Sequence, residues 1–288
     1  MTQAQLLHEM TARLQKAGIP DAAFDAKQLL LSVLDLDATA FLLQRLNQVD
    51  QAETNAAFAL VDRRIGGEPL QYLLGNWSFL NESFFVGPGV LIPRPETEEL
   101  VLHCEHLLQT VKAPVIYDLC AGSGCIGLSL LKRMHDATLI AIECSDYAFP
   151  YLRKNAEQLS LLNRVRMIQG DVLQGPTVFG ALSKADLIVS NPPYIPTAEI
   201  ASLQREVQHE PLMALDGGAD GLQFYRCFAS LWAVALKENG CFAFECGEGQ
   251  GAAIAGLFQP NDFSAEIKND FIGFDRFVIV RRSRKDLL

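Results

Sequence analysis

The sequence predicts an α/β protein in which a doubly wound, parallel sheet follows an all-helical N-terminal domain and a β-hairpin linker. Three observations carry that expectation. Residues 1 to about 75 place apolar side chains at three- and four-residue spacing, the period of helices with one buried face. From about residue 113, short apolar runs alternate with helical stretches, the pattern of strand–helix–strand units. The first four or five of those runs are almost continuously apolar, as strands covered on both faces should be.

Taken in order, "AQLLHEMTARLQ", "DAAFDAKQLLLSVL" and "NAAFALVDRRI" are the amphipathic helices, punctuated by "IPD" and "GGEP". Asp21, after Pro20, suits the N-cap of the second helix. Residues 77–80 and 83–86 flank Asn81-Glu82 as the arms of a hairpin. Gly87-Pro88-Gly89 follows, and Pro93 and Pro95 lead into a helix starting near Glu96. Glu98 and Glu99 suit the positive end of its dipole. The candidate strands after it are "VIYDLC", "TLIAIEC", "VRMIQG", "ADLIVS", "CFAFEC", "SAEIK" and "RFVIV". The expected domains are 1–75 (helical recognition bundle), 76–95 (hairpin linker) and 96–288 (catalytic domain).

Composition bounds the function. A chain of 288 residues, 49% hydrophobic, can bury one large or two modest cores. No apolar run approaches the roughly 18 residues of a membrane span, and "MTQAQLLHEMTARLQ" is too polar for a signal peptide. Seven cysteines without a C-x-x-C pair read as free thiols, which places the protein in the cytoplasm. A net charge of −10 argues against gripping bare nucleic acid through the whole surface. The basic tail "RRSRKDLL" reads as a solvated terminus. A monomer without direct nucleic-acid or membrane contact is expected.

"VIYDLCAGSGCIGLSLL" reads as strand, glycine turn and helix. The glycines let the backbone approach a ligand, and the helix presents free N–H groups to it. Gly122, Gly124 and Gly127 match the dinucleotide fingerprint, and Glu143 closes the next strand about 20 residues on, placed to accept from both ribose hydroxyls. NAD and S-adenosylmethionine both satisfy this pattern. Asp118 favours the methyl donor, because a carboxylate there would repel a pyrophosphate yet could receive a methionine amino group. Asp171 in "QGDVL" could meet an adenine amino group, and it also reads as an ordinary turn or N-cap aspartate.

"SNPPYIP" follows the fourth candidate strand, and its prolines make it stiff and extended. Ligands of open α/β sheets bind at the carboxyl ends of the strands, so this stretch forms a wall of the same crevice. The side-chain carbonyl of Asn191 and the backbone carbonyl of Pro192 can hold both hydrogens of a planar –NH₂ group. Tyr194 offers an aromatic face to stack on its carrier. Two acceptors on the N–H bonds would aim the nitrogen at a methyl donor, a positioning effect of several kcal/mol out of the ~7–11 available to ideal orientation.

These residues resemble the Asn-Pro-Pro-Tyr branch of class I S-adenosylmethionine-dependent methyltransferases, which acts on DNA adenine, ribosomal RNA guanine and protein glutamine. "GEPLQYLLGNWSFLNESFFVGPGVLIPRPETEELV", "EPLMALDGGADGLQFYR" and "DFIGFDRFVIV" narrow the resemblance to the protein N5-glutamine methyltransferases, and within them to those that modify the Gly-Gly-Gln loop of peptide chain release factors. The resemblance covers residues 66 to 280. It implies a seven-stranded Rossmann-like sheet with the last strand antiparallel, S-adenosylmethionine as cofactor, and release factors as partners. It implies that Asp118, Cys120, Ala121, Gly122, Ser123 and Gly124 line the methionine part of the cofactor. Glu143 would hold the ribose, Asp171 and Val172 would border the adenine, and Asn191 would touch cofactor and acceptor alike. Asn191, Pro192, Pro193 and Tyr194 would receive the glutamine, with Asn191, Pro192 and Tyr194 as the catalytic set. Glu143 stands where Asp is frequent, and "CAGSG" puts Cys120 where Gly or Thr is usual. The N-terminal helices are assigned to release-factor binding by family precedent alone.

Other readings stay open at this level. A ribosomal-protein glutamine methyltransferase would have much the same active site. A DNA or RNA amine methyltransferase predicts a basic surface, and a non-catalytic S-adenosylmethionine-binding adaptor predicts decay of the Asn-Pro-Pro-Tyr stretch. An NAD oxidoreductase would need a proton relay that the sequence does not offer. His103 and His106 are read as helix packing or surface, with no metal site expected. His209-Glu210 is read as loop, and Cys241 and Cys246 as buried thiols flanking a strand.

Overall fold

The computed structural model describes residues 1–283, so most of the basic tail lies outside the described residues. Contacts divide the chain into two compact units. One is Met1–Asn76 with Gln204–His209; the other takes in Trp77–Leu203 and the chain from Glu210 on.

The first unit is helical: α1 (Gln3–Lys16), α2 (Ala22–Leu34), α3 (Ala38–Gln44), α4 (Gln51–Ile65) and α5 (Leu70–Leu74). Leu6, Met10 and Leu14 bury one face of α1, meeting Leu29 and Leu30 of α2 and Ala57 and Val61 of α4 in the unit's core. Capping boxes open α1 (Thr2 with Gln5) and α4 (Asp50 with Glu53), satisfying N–H groups the helices cannot. Asp21 does occupy the N-cap of α2, but its side chain makes no capping hydrogen bond, because its backbone sits at φ −99°, ψ 38° instead of extended. The unit also buries an ion pair, Arg64 Nε donating to Asp25 at 2.7 Å, with Arg64 Nη2 on Glu206 at 2.6 Å. Burial pushes the Asp25 carboxyl up against the pull of Arg64.

The hairpin β1 (Asn76–Phe79) and β2 (Glu82–Phe85) leads into the second unit, one residue earlier than its spacing suggests because Leu80 takes the left-handed turn position at φ 49°. Next come α6 (Pro95–Leu108), β3 (Val115–Leu119), α7 (Cys125–Arg133), β4 (Thr138–Glu143), α8 (Ala148–Gln158), β5 (Val165–Gln169) and β6 (Ala185–Ser190). The unit closes with α9 (Gln223–Cys227), β7 (Leu236–Glu245), α10 (Gly251–Phe258), β8 (Phe263–Asn269) and β9 (Asp275–Arg282). The sheet has seven strands in the order β5-β4-β3-β6-β7-β9-β8, parallel from β5 to β7, with β9 antiparallel to both neighbours.

Continuous apolar strands are explained by two cores. Ile116, Leu139, Ala141, Leu187 and Val189 face one core with α6, α7 and α8. Tyr117, Ile140, Ile142, Ile188, Phe242 and Phe244 face the other with Tyr225, Trp232, Ile254 and Phe258. The edge strands are the exceptions, with Arg166 and Gln169 exposed on β5 and Ser264, Glu266, Ile267 and Asn269 on β8. The strand β7 starts five residues before "CFAFEC", because Leu236 pairs with Ala185 ahead of a register shift. The chain runs outward from β3 to β5 and returns to β6 beside β3, so the sheet's switch point lies between the carboxyl ends of β3 and β6.

Candidate active site

At that switch point a cavity of about 440 Å³ opens, within the ~300–1,000 Å³ typical of small-molecule sites. Its floor is the turn between β3 and α7. Cys120, Gly122 and Gly124 take left-handed φ values of 61°, 55° and 80°. That conformation suits glycine, which accounts for the glycines and marks Cys120 as strained. Gly127 is required for space: a Cβ there would stand 2.7 Å from Leu139 Cδ2 and 2.9 Å from Asp118 Oδ2.

Glu143 ties this floor to the far wall. Its Oε2 accepts from Gly122 N–H and its Oε1 from Ser145 N–H, both at 2.7 Å. Cys144 also donates to this carboxylate through its backbone and its thiol, and Glu143 lines the cavity. Burial pushes its carboxyl up, and the backbone donors pull it back. Asp171 combines two readings of its residue type. Its Oδ1 accepts from Leu173 N–H at 2.9 Å, a turn cap, while the residue also lines the cavity with Val172.

Asp118 lies under the floor, fully buried, and does not line the cavity. Its Oδ2 accepts from Gly127 N–H at 2.9 Å, while Oδ1 has no hydrogen-bond partner. Burial raises the carboxyl to about 7, opposed by the Gly127 hydrogen bond and reinforced by Glu143. An orphaned acidic oxygen beneath the turn is a place prepared for positive charge. A cofactor carrying a ribose and an ammonium group fits this donor and acceptor set: Glu143 for the diol, the turn's N–H groups for a carboxylate, and the field of Asp118 for the cation.

The opposite wall carries Asn191 and Pro193. Asn191 Nδ2 donates to Thr97 Oγ1 at 3.3 Å, and Thr97 in turn donates to Glu245 Oε2 at 2.6 Å. Burial raises the Glu245 carboxyl to about 7, against the Thr97 hydrogen bond and Arg276. The N-cap of α10 and the loop around residues 217–221 clamp the Asn-Pro-Pro-Tyr stretch from behind. Gln250 Nε2 donates to the Tyr194 carbonyl at 2.9 Å. A Cβ on Gly217 would stand 2.7 Å from Tyr194 Cα, and one on Gly221 would fall on the Tyr194 carbonyl oxygen. Burial holds the Tyr194 phenol protonated, well above its usual range.

Of the residues singled out in sequence, the cavity brings together Cys120, Ala121, Gly122, Ser123, Glu143, Asp171, Val172, Asn191 and Pro193. Asp118, Gly124, Pro192 and Tyr194 stand outside its lining. Gly124 serves as the N-cap of α7, and its Cβ position is taken by Leu152 and Leu128. Sequence reasoning missed four contributors. Thr97 and Glu245 hold Asn191. Asn155, wholly buried on α8, links Phe85 of the hairpin to Ser123 O of the turn at 2.9 Å. Glu210, read as loop, accepts from Ile92 N–H at 3.0 Å and pairs with Arg94, two residues of the cavity wall. A usable signal existed for Glu245 alone, a carboxylate ending the apolar run "FAFE". His103 packs edge-on to Phe277 with ring centroids 5.3 Å apart, and Cys241 and Cys246 are buried free thiols.

Comparison with known proteins adds a second line of observation. Residues 5–75 match the family model described as PrmC N-terminal domain, and residues 99–212 match Methyltransferase small domain. A protein of Geobacter sulfurreducens named release factor glutamine methyltransferase is 37% identical over 269 residues, covering 92% of this chain and 91% of its own. A protein of Moorella thermoacetica with the same name is 36% identical, covering 98% and 99%. Among solved structures, a methyltransferase from Pyrococcus furiosus aligns with TM-score 0.51 at 16% identity over 72% of this chain and 91% of that one, a likeness of fold.

Proposed function

We infer the reaction from one premise: the chain belongs to the release factor glutamine methyltransferase family. It is an enzyme that methylates the side-chain amide nitrogen, N5, of a protein glutamine, and its sheet is that of the class I methyltransferases. The finer reading is that S-adenosylmethionine occupies the cavity and that the acceptor is the Gly-Gly-Gln glutamine of peptide chain release factors. The observation that carries it is Asn191, which lines the same cavity as Glu143 and the glycine turn.

When bound, S-adenosylmethionine supplies an electrophilic methyl group. Glu143 accepts from the ribose hydroxyls beside its backbone donors Gly122 and Ser145, the exposed Cys144 thiol giving up its place on the carboxylate. The turn from Cys120 to Gly124 presents N–H groups to the methionine carboxylate, Asp118 offsets its ammonium from below, and Asp171 and Val172 border the adenine. Asn191 Oδ1 and the Pro192 carbonyl accept the two amide hydrogens, keeping the nitrogen's lone pair aimed along the transfer line. The Tyr194 ring, outside the cavity lining, packs against the core that holds Tyr225 and Phe244 and backs the acceptor wall as a neutral phenol. The amide nitrogen sheds one proton to water as it gains the methyl, so the chain needs acceptors and alignment more than a strong base.

The helical unit is assigned to holding the release factor, with domain limits at residues 1–75, 76–95 and 96–288. The protein acts as a monomer in the cytoplasm, without direct contact to nucleic acid. No described helix is long and apolar enough to cross a membrane. The test is intact-mass spectrometry of a purified release factor incubated with this protein and S-adenosylmethionine, followed by fragmentation. One added methyl on the Gly-Gly-Gln glutamine supports the reading. No gain despite measured cofactor binding overturns it and moves the search to ribosomal-protein glutamine or nucleic-acid amines.

A further inference from the structure

We propose that Thr97 and Glu245 are positioning residues that set which end of the Asn191 amide faces the acceptor. The inference rests on the amide-clamp reading and deepens it. Asn191 works as a clamp only if its carbonyl, not its –NH₂, points at the incoming amide. Nothing in Asn191 itself decides that, since the two ends are nearly the same size.

The hydrogen-bond chain decides it. The Thr97 hydroxyl has one proton. An ionised Glu245 is an acceptor only, so at 2.6 Å it takes that proton and leaves a Thr97 lone pair facing Asn191. The group opposite that lone pair must then be the Asn191 –NH₂, at 3.3 Å, which also hydrogen-bonds the Glu245 carboxylate itself, so Oδ1 is turned the other way. Protonating Glu245 reverses the chain. Glu245 then donates to Thr97, the Thr97 proton is free to point at Asn191, and the amide is satisfied with Oδ1 inward. Its –NH₂ would then meet the substrate –NH₂, donor against donor.

The surroundings of Glu245 hold it near the balance. It is 2% exposed at the end of β7, and its own backbone carbonyl accepts from Tyr225 of α9 at 2.7 Å. The hydrogen bonds from Thr97 and Asn191 and the charge of Arg276 of β9 favour the ionised form, and Glu96 of α6 opposes it. Tyr194, Tyr225, Cys246 and Cys125 also face it, all held protonated by burial. Burial is the largest influence, raising Glu245 to about 7. The ionised form is the active one, so kcat rises as pH increases through that value.

The test is kcat for methylation of a purified release factor, at saturating S-adenosylmethionine and release factor, from about pH 6 to 8.5. Saturation removes Asp118, the other carboxyl raised to about 7, because it acts on cofactor binding. Thr97→Val is expected to lower kcat roughly ten- to hundredfold, the factor a misdirected hydrogen bond costs, with S-adenosylmethionine Kd changed less than about threefold. Thr97→Ser, which keeps the hydroxyl, should recover most of the rate and the wild-type pH limb. Glu245→Gln cannot ionise, so its kcat should be flat across the range, which decides the matter even if Thr97→Val fails to fold. A Glu245→Gln profile that keeps the wild-type limb overturns the inference while the amide clamp survives. Thr97→Val with wild-type kcat does the same. No methylation by the wild-type protein overturns the inference together with the reading beneath it.

Discussion

Replacing Glu143 by Gln tests the cofactor site at its most constrained point. Both carboxylate oxygens are committed to backbone donors at 2.7 Å, Gly122 on the turn and Ser145 ahead of α8. Gln has one oxygen, so one of these N–H groups must face an –NH₂ and lose its partner. The lost charged hydrogen bond costs ~1.5–3 kcal/mol. On the same side, a ribose hydroxyl loses its acceptor, so the penalty appears in binding as well as folding. For S-adenosylmethionine the same ~1.5–3 kcal/mol corresponds to a Kd weaker by roughly 10- to 150-fold. Isothermal titration calorimetry measures Kd, and thermal melting of the free protein measures the folding part. Glu143→Ala should fall in the same range, since it removes both contacts without adding a donor. A Glu143→Gln protein that binds within twofold of wild type would refute the reasoning and put the ribose elsewhere.

Asn191→Ala should abolish turnover and leave S-adenosylmethionine binding within about tenfold, measured by mass spectrometry and calorimetry; wild-type turnover would sink the amide clamp. Asp118 is raised from 3.8 to about 7, so its contribution to the stability of the free protein is complete below about pH 4 and lost as pH rises through about 7. Chemical denaturation should therefore show wild type losing on the order of a few kcal/mol over that window relative to Asp118→Asn, and parallel pH profiles would contradict it. Arg64→Met strands the Asp25 carboxylate, whose side chain is 5% exposed, and should cost the helical unit about 3–5 kcal/mol in a denaturant melt. A loss under 1 kcal/mol would mean that water reaches Asp25 once Arg64 is gone.

How far the sequence reached depended on the range of the interaction. The apolar runs located the inner strands of the sheet because burial on both faces is written into consecutive residues, while the edge strands β5 and β8 showed as shorter, interrupted runs. The glycine turn was legible for the same reason: left-handed φ at Gly122 and Gly124 is a local demand, met by local residues. Asp21 shows the limit of a local rule, since residue type put it at a cap position while the chain's entry angle withheld the bond. Asp118 shows another. A strand-end carboxylate was expected against the ligand, but the turn folds over it, and only the packed structure reveals a buried acid with one oxygen orphaned.

By itself, the sequence determined the order of elements, the crevice at the strand ends, and the residue types that meet there, because each follows from spacing of a few residues. Tertiary structure alone decided how those residues are held. Thr97 reaches Glu245 across 148 positions and Asn191 across 94; Glu210 reaches Arg94 across 116. No period or motif spans such distances. Those contacts exist because the sheet's crossovers bring α6, β6 and β7 to one end. Which way the Asn191 amide points depends on a hydrogen bond from a helix whose sequence announces only a helix.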